Sequence, residues 1–169
     1  MSGLEFPSAV TADQAWAVVQ AKAPGLARGA EQLRYHPFSG FVHTFVVPRF
    51  RNPLCLERMN TLVDYYTGKA FITDPWPALT TVDAGVCRSE VSDPGWNSTS
   101  FDTARRRAAR LVGTVAIRHL RLAQNPRVEE TESHELVWKP NWLLTGQLQN
   151  RPVRILVDAL NGGYYVVGS

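Results

Sequence analysis

A chain of 169 residues, 44% apolar and 20% charged, has the composition of an ordinary globular protein of one domain or two small ones. It is long enough to bury roughly 70% of the surface its unfolded form exposes, so it needs no covalent or metal staples. A formal net charge of +3 is a weak argument for any anionic partner, and no apolar run approaches the ~20 residues of a membrane span.

The first residues, Met1 to Pro7, carry neither a basic nor an apolar leader region, so a secretory signal is not expected and a cytoplasmic location is. In that compartment Cys55 and Cys87 are expected to be reduced thiols. Arginine far outnumbers lysine (only Lys22, Lys69 and Lys139), a bias of GC-rich coding sequences such as actinobacterial ones.

Residues 1–10 read as a tail. Thr11 and Gln14 then form a capping box, in which each side chain satisfies a free backbone N–H. Ala15, Trp16, Val18, Val19, Ala21 and Ala23 continue a helix that Pro24-Gly25 ends. Tyr35-His36-Pro37-Phe38 introduces a strand, clearest over Gly40 to Val47, where β-branched and aromatic residues dominate. A loop around Arg49 to Pro53 precedes Leu62-Val63-Asp64 and a turn at Thr67-Gly68. Residues 75–99, with Pro75, Pro77, Gly85, Pro94, Gly95, Trp76 and Trp96, read as an irregular connector. A second helix runs from the Ser98-Thr99-Ser100 cluster to about Ala123, its apolar stripe formed by Phe101, Ala104, Ala108, Leu111, Val112, Val115 and Leu122. Trp138-Lys139-Pro140-Asn141-Trp142 opens the next strand. Val153 to Val157 leads to a hairpin signalled by Asn161-Gly162, both of which tolerate positive φ.

The two halves share an order of pieces. Leu62-Val63-Asp64 and Leu156-Val157-Asp158 match without a gap, and Gly68 then answers Gly162. Upstream, Tyr35-His36-Pro37 answers Trp138-Lys139-Pro140, and a helix precedes each. This order resembles the PepSY-type domains and the wider cystatin-like group, in which one helix packs across a curved antiparallel sheet. The resemblance implies an α+β fold of two tandem helix-plus-antiparallel-sheet units, residues 11–74 and 100–169, packed together. It carries no function, because that group includes inhibitors, binding modules and small enzymes.

Asp64 and Asp158 hold equivalent places and suggest an acid/base pair, but an Asp before a Gly-containing turn more often accepts the turn's own N–H groups. None of His36, His43, His119 and His134 has a metal-ligand spacing, and His119 falls on the apolar stripe of its helix, where a core role is favoured. A Cys–His nucleophile at Cys87 has nothing to mark its thiol as activated. Arg107, Arg110 and Arg118 share one helix face; a docking stripe for an anion competes there with a solvated helix back, which is the usual outcome. Tyr35, Phe38, Trp138 and Trp142 line the equivalent strands, as core or as the wall of a groove.

No constellation therefore names a reaction, and neither a cofactor nor a metal is expected. The leading expectation is a non-enzymatic binding or accessory module that grips a protein or peptide partner along a sheet edge or an aromatic groove. The alternative is a small enzyme or small-molecule-binding protein with an aromatic-lined pocket between helix and sheet, for which Asp64, His36 and His134 are the first residues to test. Neither a nucleic-acid nor a membrane partner is expected.

Overall fold

The computed structural model describes residues 2–49, 52–83, 99–119 and 127–168, and the protein is α+β. In chain order the described elements are β1 (Ser2–Glu5), α1 (Ala12–Lys22), β2 (Leu26–Arg49), β3 (Asn52–Asp64), β4 (Ala70–Thr73), β5 (Thr80–Asp83), α2 (Phe101–His119), β6 (Val128–Leu148), β7 (Arg151–Asp158) and β8 (Tyr164–Gly168). No helix among the described residues is long and apolar enough to cross a membrane.

The Thr11–Gln14 capping box forms as expected: Thr11 N–H donates to Gln14 Oε1 at 2.9 Å, and Gln14 N–H to Thr11 Oγ1 at 3.3 Å. The helix stops at Lys22, with Ala23 as its C-cap. Residues 1–10 are not a tail. Their first part is strand β1, antiparallel to β5 within the expected connector, and Phe6 is buried with its N–H bonded to Trp138 O at 3.0 Å.

β2 spans 24 residues and β6 spans 21, longer than their β-branched cores suggest. Their extra length is polar and exposed, so ladder bonds rather than apolar patterning hold it extended. Gly29 of β2 and Gly146 of β6 let the two backbones meet, since a Cβ on Gly29 would clash with Thr145 O and one on Gly146 would stand 2.6 Å from Ala27 O.

The chain divides into two compact units that do not follow the expected segments 11–74 and 100–169. One draws on the described residues of Met1–His36, Ala78–Ser92 and Trp138–Ser169, the other on those of Pro37–Pro77 and Asp93–Val137. In the first, α1 buries Ala15, Trp16 and Val19 against Leu26, Leu144, Ile155 and Val157. In the second, α2 buries Ala104 and Ala108 against Phe41 and Val63, and Ala116 against Phe45. Each helix thus packs mainly on strands from the other sequence segment, α1 also meeting Leu26 of its own. Local order in the chain predicts the elements but not this exchange, because a helix is equally apolar toward either set of strands.

The turns where the helices dock carry matching bonds. Asp64 N–H bonds Lys69 O at 3.0 Å and Gly68 N–H bonds Asp64 O at 2.7 Å; Asp158 N–H bonds Gly163 O at 2.7 Å and Gly162 N–H bonds Asp158 O at 2.9 Å. Pro37 O accepts from Tyr65 and Pro140 O from Ala159, both at 3.2 Å. β3 meets β4 as β7 meets β8, with Val63 opposite Ala70 and Val157 opposite Tyr164.

The hairpin expected at Asn161-Gly162 forms, joining β7 to β8. Gly162 has φ 75° but Asn161 is not among the residues at positive φ, and the loop runs from Ala159 to Gly163. A tight two-residue turn lies at Gln149 (φ 51°) and Asn150 (φ 63°), joining β6 to β7 across the Leu148–Arg151 pair.

Candidate functional site

Asp64 and Asp158 are turn residues rather than an acid/base pair. Asp64 Oδ1 accepts the N–H groups of Tyr66 at 2.7 Å and Thr67 at 3.0 Å. Asp158 Oδ1 accepts from Leu160 at 2.9 Å, and its Oδ2 takes Lys139 Nζ at 2.5 Å. The carboxylates belong to different compact units.

The histidines are dispersed. His36 is partly buried on β2, and the side chain of His119 lies outside the described residues, as do those of Cys55 and Cys87. His134 Nε2 lies 2.6 Å from Glu132 Oε1, and Arg58 binds the other oxygen of that carboxylate at 3.2 Å. The Trp76 ring stands 6.1 Å from that of His134 and covers Gly40, where a Cβ would come 2.7 Å from the indole. His43, which the sequence gave no reason to favour, is the buried one, at 2% exposure, and burial holds its pKa below the usual imidazole value.

On the arginine face, Arg107 donates to Thr67 O at 3.3 Å, so it secures the turn on which α2 docks. Arg110 and Arg118 are exposed. Arg105 is the arginine tied to the sheet: its Nε lies 3.2 Å from Glu130 Oε1, and its guanidinium sits 4.8 Å from the Phe101 ring centre.

The aromatics do not line an open groove. Trp138 is fully buried, Phe38 is 7% exposed and meets Phe71 edge-on at 6.1 Å, and Trp142 donates its indole N–H to Val10 O at 2.8 Å. Tyr35 is partly buried. They build core and anchor the approach to α1.

The exposed apolar surface lies elsewhere. Tyr164, Tyr165, Val166 and Val167 of β8 are 40%, 61%, 60% and 49% exposed. Successive strand residues point to opposite faces, so both faces of β8 are open. Among the described residues β8 pairs with β7 alone, leaving its other edge for a further strand. The signal was present in the sequence as Tyr-Tyr-Val-Val, a run without charge or Pro, but such a run equally describes a buried strand. Comparison with protein-family models, curated proteins and solved structures finds no match.

Proposed function

We propose that this protein is a non-enzymatic binding module that takes an extended segment of a protein partner as an added strand along β8. The carrying observation is the open edge with four consecutive exposed apolar residues. Natural edge strands are usually blunted by charge, Pro or a bulge, and β8 has no charged or proline residue between Tyr164 and Gly168. Main-chain bonds would supply affinity and the apolar side chains selectivity. Exposed Arg151 and Arg154 stand on β7 at the end where Arg154 pairs with Gly168, so the favoured segment is apolar with an acidic residue at that end. The segments 11–74 and 100–169 are, in the same reading, two copies of one cystatin-like unit that have exchanged helices, which the matching turns support.

Selection from a displayed library of unstructured peptides tests strand addition. Apolar, acid-flanked peptides are expected, and Val166→Lys should abolish their binding without lowering the melting temperature. Failure to select any peptide, or selected peptides that bind Val166→Lys equally well, would overturn it.

A second reading, a small-molecule-binding protein with its site between helix and sheet, is favoured by buried polar groups beneath α2. His43 Nδ1 and Thr61 Oγ1 have no hydrogen-bond partner among the described residues.

A further inference from the structure

The two helix–sheet layers can be compared position by position. Asp64 pairs with Phe38 and Asp158 with Asn141; counting along the strands from these pairs sets Phe41 against Leu144, His43 against Gly146, Thr61 against Ile155 and Val63 against Val157. Counting from the helix N-caps Thr11 and Ser100 sets Trp16 against Arg105. Beneath α1 the layer is apolar. Trp16, Leu144, Ile155 and Val157 pack together, and the Trp16 ring covers Gly146 so closely that a Cβ there would come within 3.3 Å of it. Beneath α2, Phe41 and Val63 keep the apolar role, while His43, Thr61 and Arg105 replace Gly146, Ile155 and Trp16.

The replacements leave polar atoms unsatisfied. His43 is 2% exposed and Thr61 fully buried, and neither His43 Nδ1 nor Thr61 Oγ1 makes a hydrogen bond among the described residues. Alternation puts His43 between Phe41 and Phe45 on the face that α2 covers, and Thr61 lies diagonally across the β2–β3 ladder from it. Leaving buried donors and acceptors unmade is costly, and the corresponding α1 layer shows that the architecture does not require it. Beside this pair Phe101 stacks on Phe41 at 5.4 Å, and the Arg105–Glu130 ion pair forms a partly exposed rim.

We propose that the layer between α2 and the β2–β3 hairpin is a binding site for a small planar molecule bearing an amide or carboxylic acid group, which exchanges hydrogen bonds with His43 and Thr61. A neutral imidazole has one donor and one acceptor nitrogen, and a hydroxyl can do either, so a ligand group with one donor and one acceptor, an amide or a carboxyl bound in its protonated form, satisfies both. Burial keeps His43 in that neutral form, with Glu130 opposing weakly. This site rests on the small-molecule reading, independently of β8, so peptide binding to β8 neither supports nor removes it.

The test is a titration of the whole chain with acetamide, benzamide, acetic acid and benzoic acid, read by the His43 ring ¹⁵N resonances and by the melting temperature. The His43 signals are assigned by their loss in His43→Gln. At least one compound should shift Nδ1 saturably and raise the melting temperature. Thr61→Val, which keeps the shape and removes the hydroxyl, should weaken that compound at least tenfold, and Thr61→Ser should retain it. No saturable response to any of the four overturns the proposal and leaves ordered water as the partner of these atoms. Binding unchanged in Thr61→Val overturns it as well.

Discussion

Val10 donates its backbone N–H to the carbonyl oxygen of Ala159 at 2.8 Å, tying the entry of α1 to a turn in the far half of the chain. Thr99 makes the corresponding bond to Tyr65 at 3.2 Å, at the entry of α2. Neither helix is completed by its own segment. Fragments Met1–Ser92 and Asp93–Ser169, made separately, should each lack a cooperative melt, and mixing them should restore the circular dichroism of the intact chain. A cooperative melt from either fragment alone would contradict the exchange.

Gly162 and Gly68 sit at φ 75° and 65°, where a Cβ is strained. Gly162→Val should destabilise by more than ~1 kcal/mol, because a β-branched residue there is an outlier and nothing nearby compensates. Among the described residues a Cβ at Gly162 meets only Val18, at 3.8 Å, so crowding adds little and the measured cost isolates backbone strain. An unchanged denaturation midpoint would show that the loop adopts another conformation.

Gln149 and Asn150 occupy the positive-φ positions of a hairpin turn with neither residue a glycine. Asn150→Gly should stabilise the protein by about 0.5–1 kcal/mol, since Gly follows naturally in that position. A loss of stability in urea unfolding would count against the turn.

Trp76 and Gly40 are coupled by contact, the indole covering the site a Cβ would fill at 2.7 Å. Gly40→Ala should be destabilising in the native background and clearly less so in Trp76→Ala. A double-mutant cycle with no coupling energy beyond ~0.5 kcal/mol would rule out the contact.

The pH dependence follows from His43. Its folded pKa lies below the ordinary 6.5, so between the two values the unfolded chain binds the extra proton. The stability owed to this group is therefore complete above about pH 6.5 and falls as the pH drops toward the folded pKa. In melting curves from pH 8 to 5, His43→Gln should lose less stability than the native chain. Parallel curves would exclude a role for this imidazole.

Much of the fold was legible because its signals are local. Thr11 and Gln14 announce the start of α1, the Ala104 and Ala108 spacing gives α2 its buried face, and Asp64 and Asp158 mark turns in which the carboxylate bonds its own loop. Helix exchange was not legible, since the sequence specifies an apolar face without saying which strands receive it. The same limit hid the buried layer: His43 and Thr61 stand in a β-branched and aromatic strand pair, and only pairing with α2 shows that they lack partners. Trp138 and Phe38 looked as suited to a groove as to a core, and burial decided for the core.

The exchange also governs how the chain emerges during synthesis. α1 is made long before Ile155 and Val157, against which it packs. Until β7 has left the ribosome, the cluster of Trp16 and Val19 lacks Ile155 and Val157, and a helix of 11 residues is marginal by itself in water. Contacts so far apart in sequence slow folding and prolong the exposure of apolar strands. The nascent segment of α1 thus keeps its apolar side chains uncovered until the strands of β6 and β7 follow.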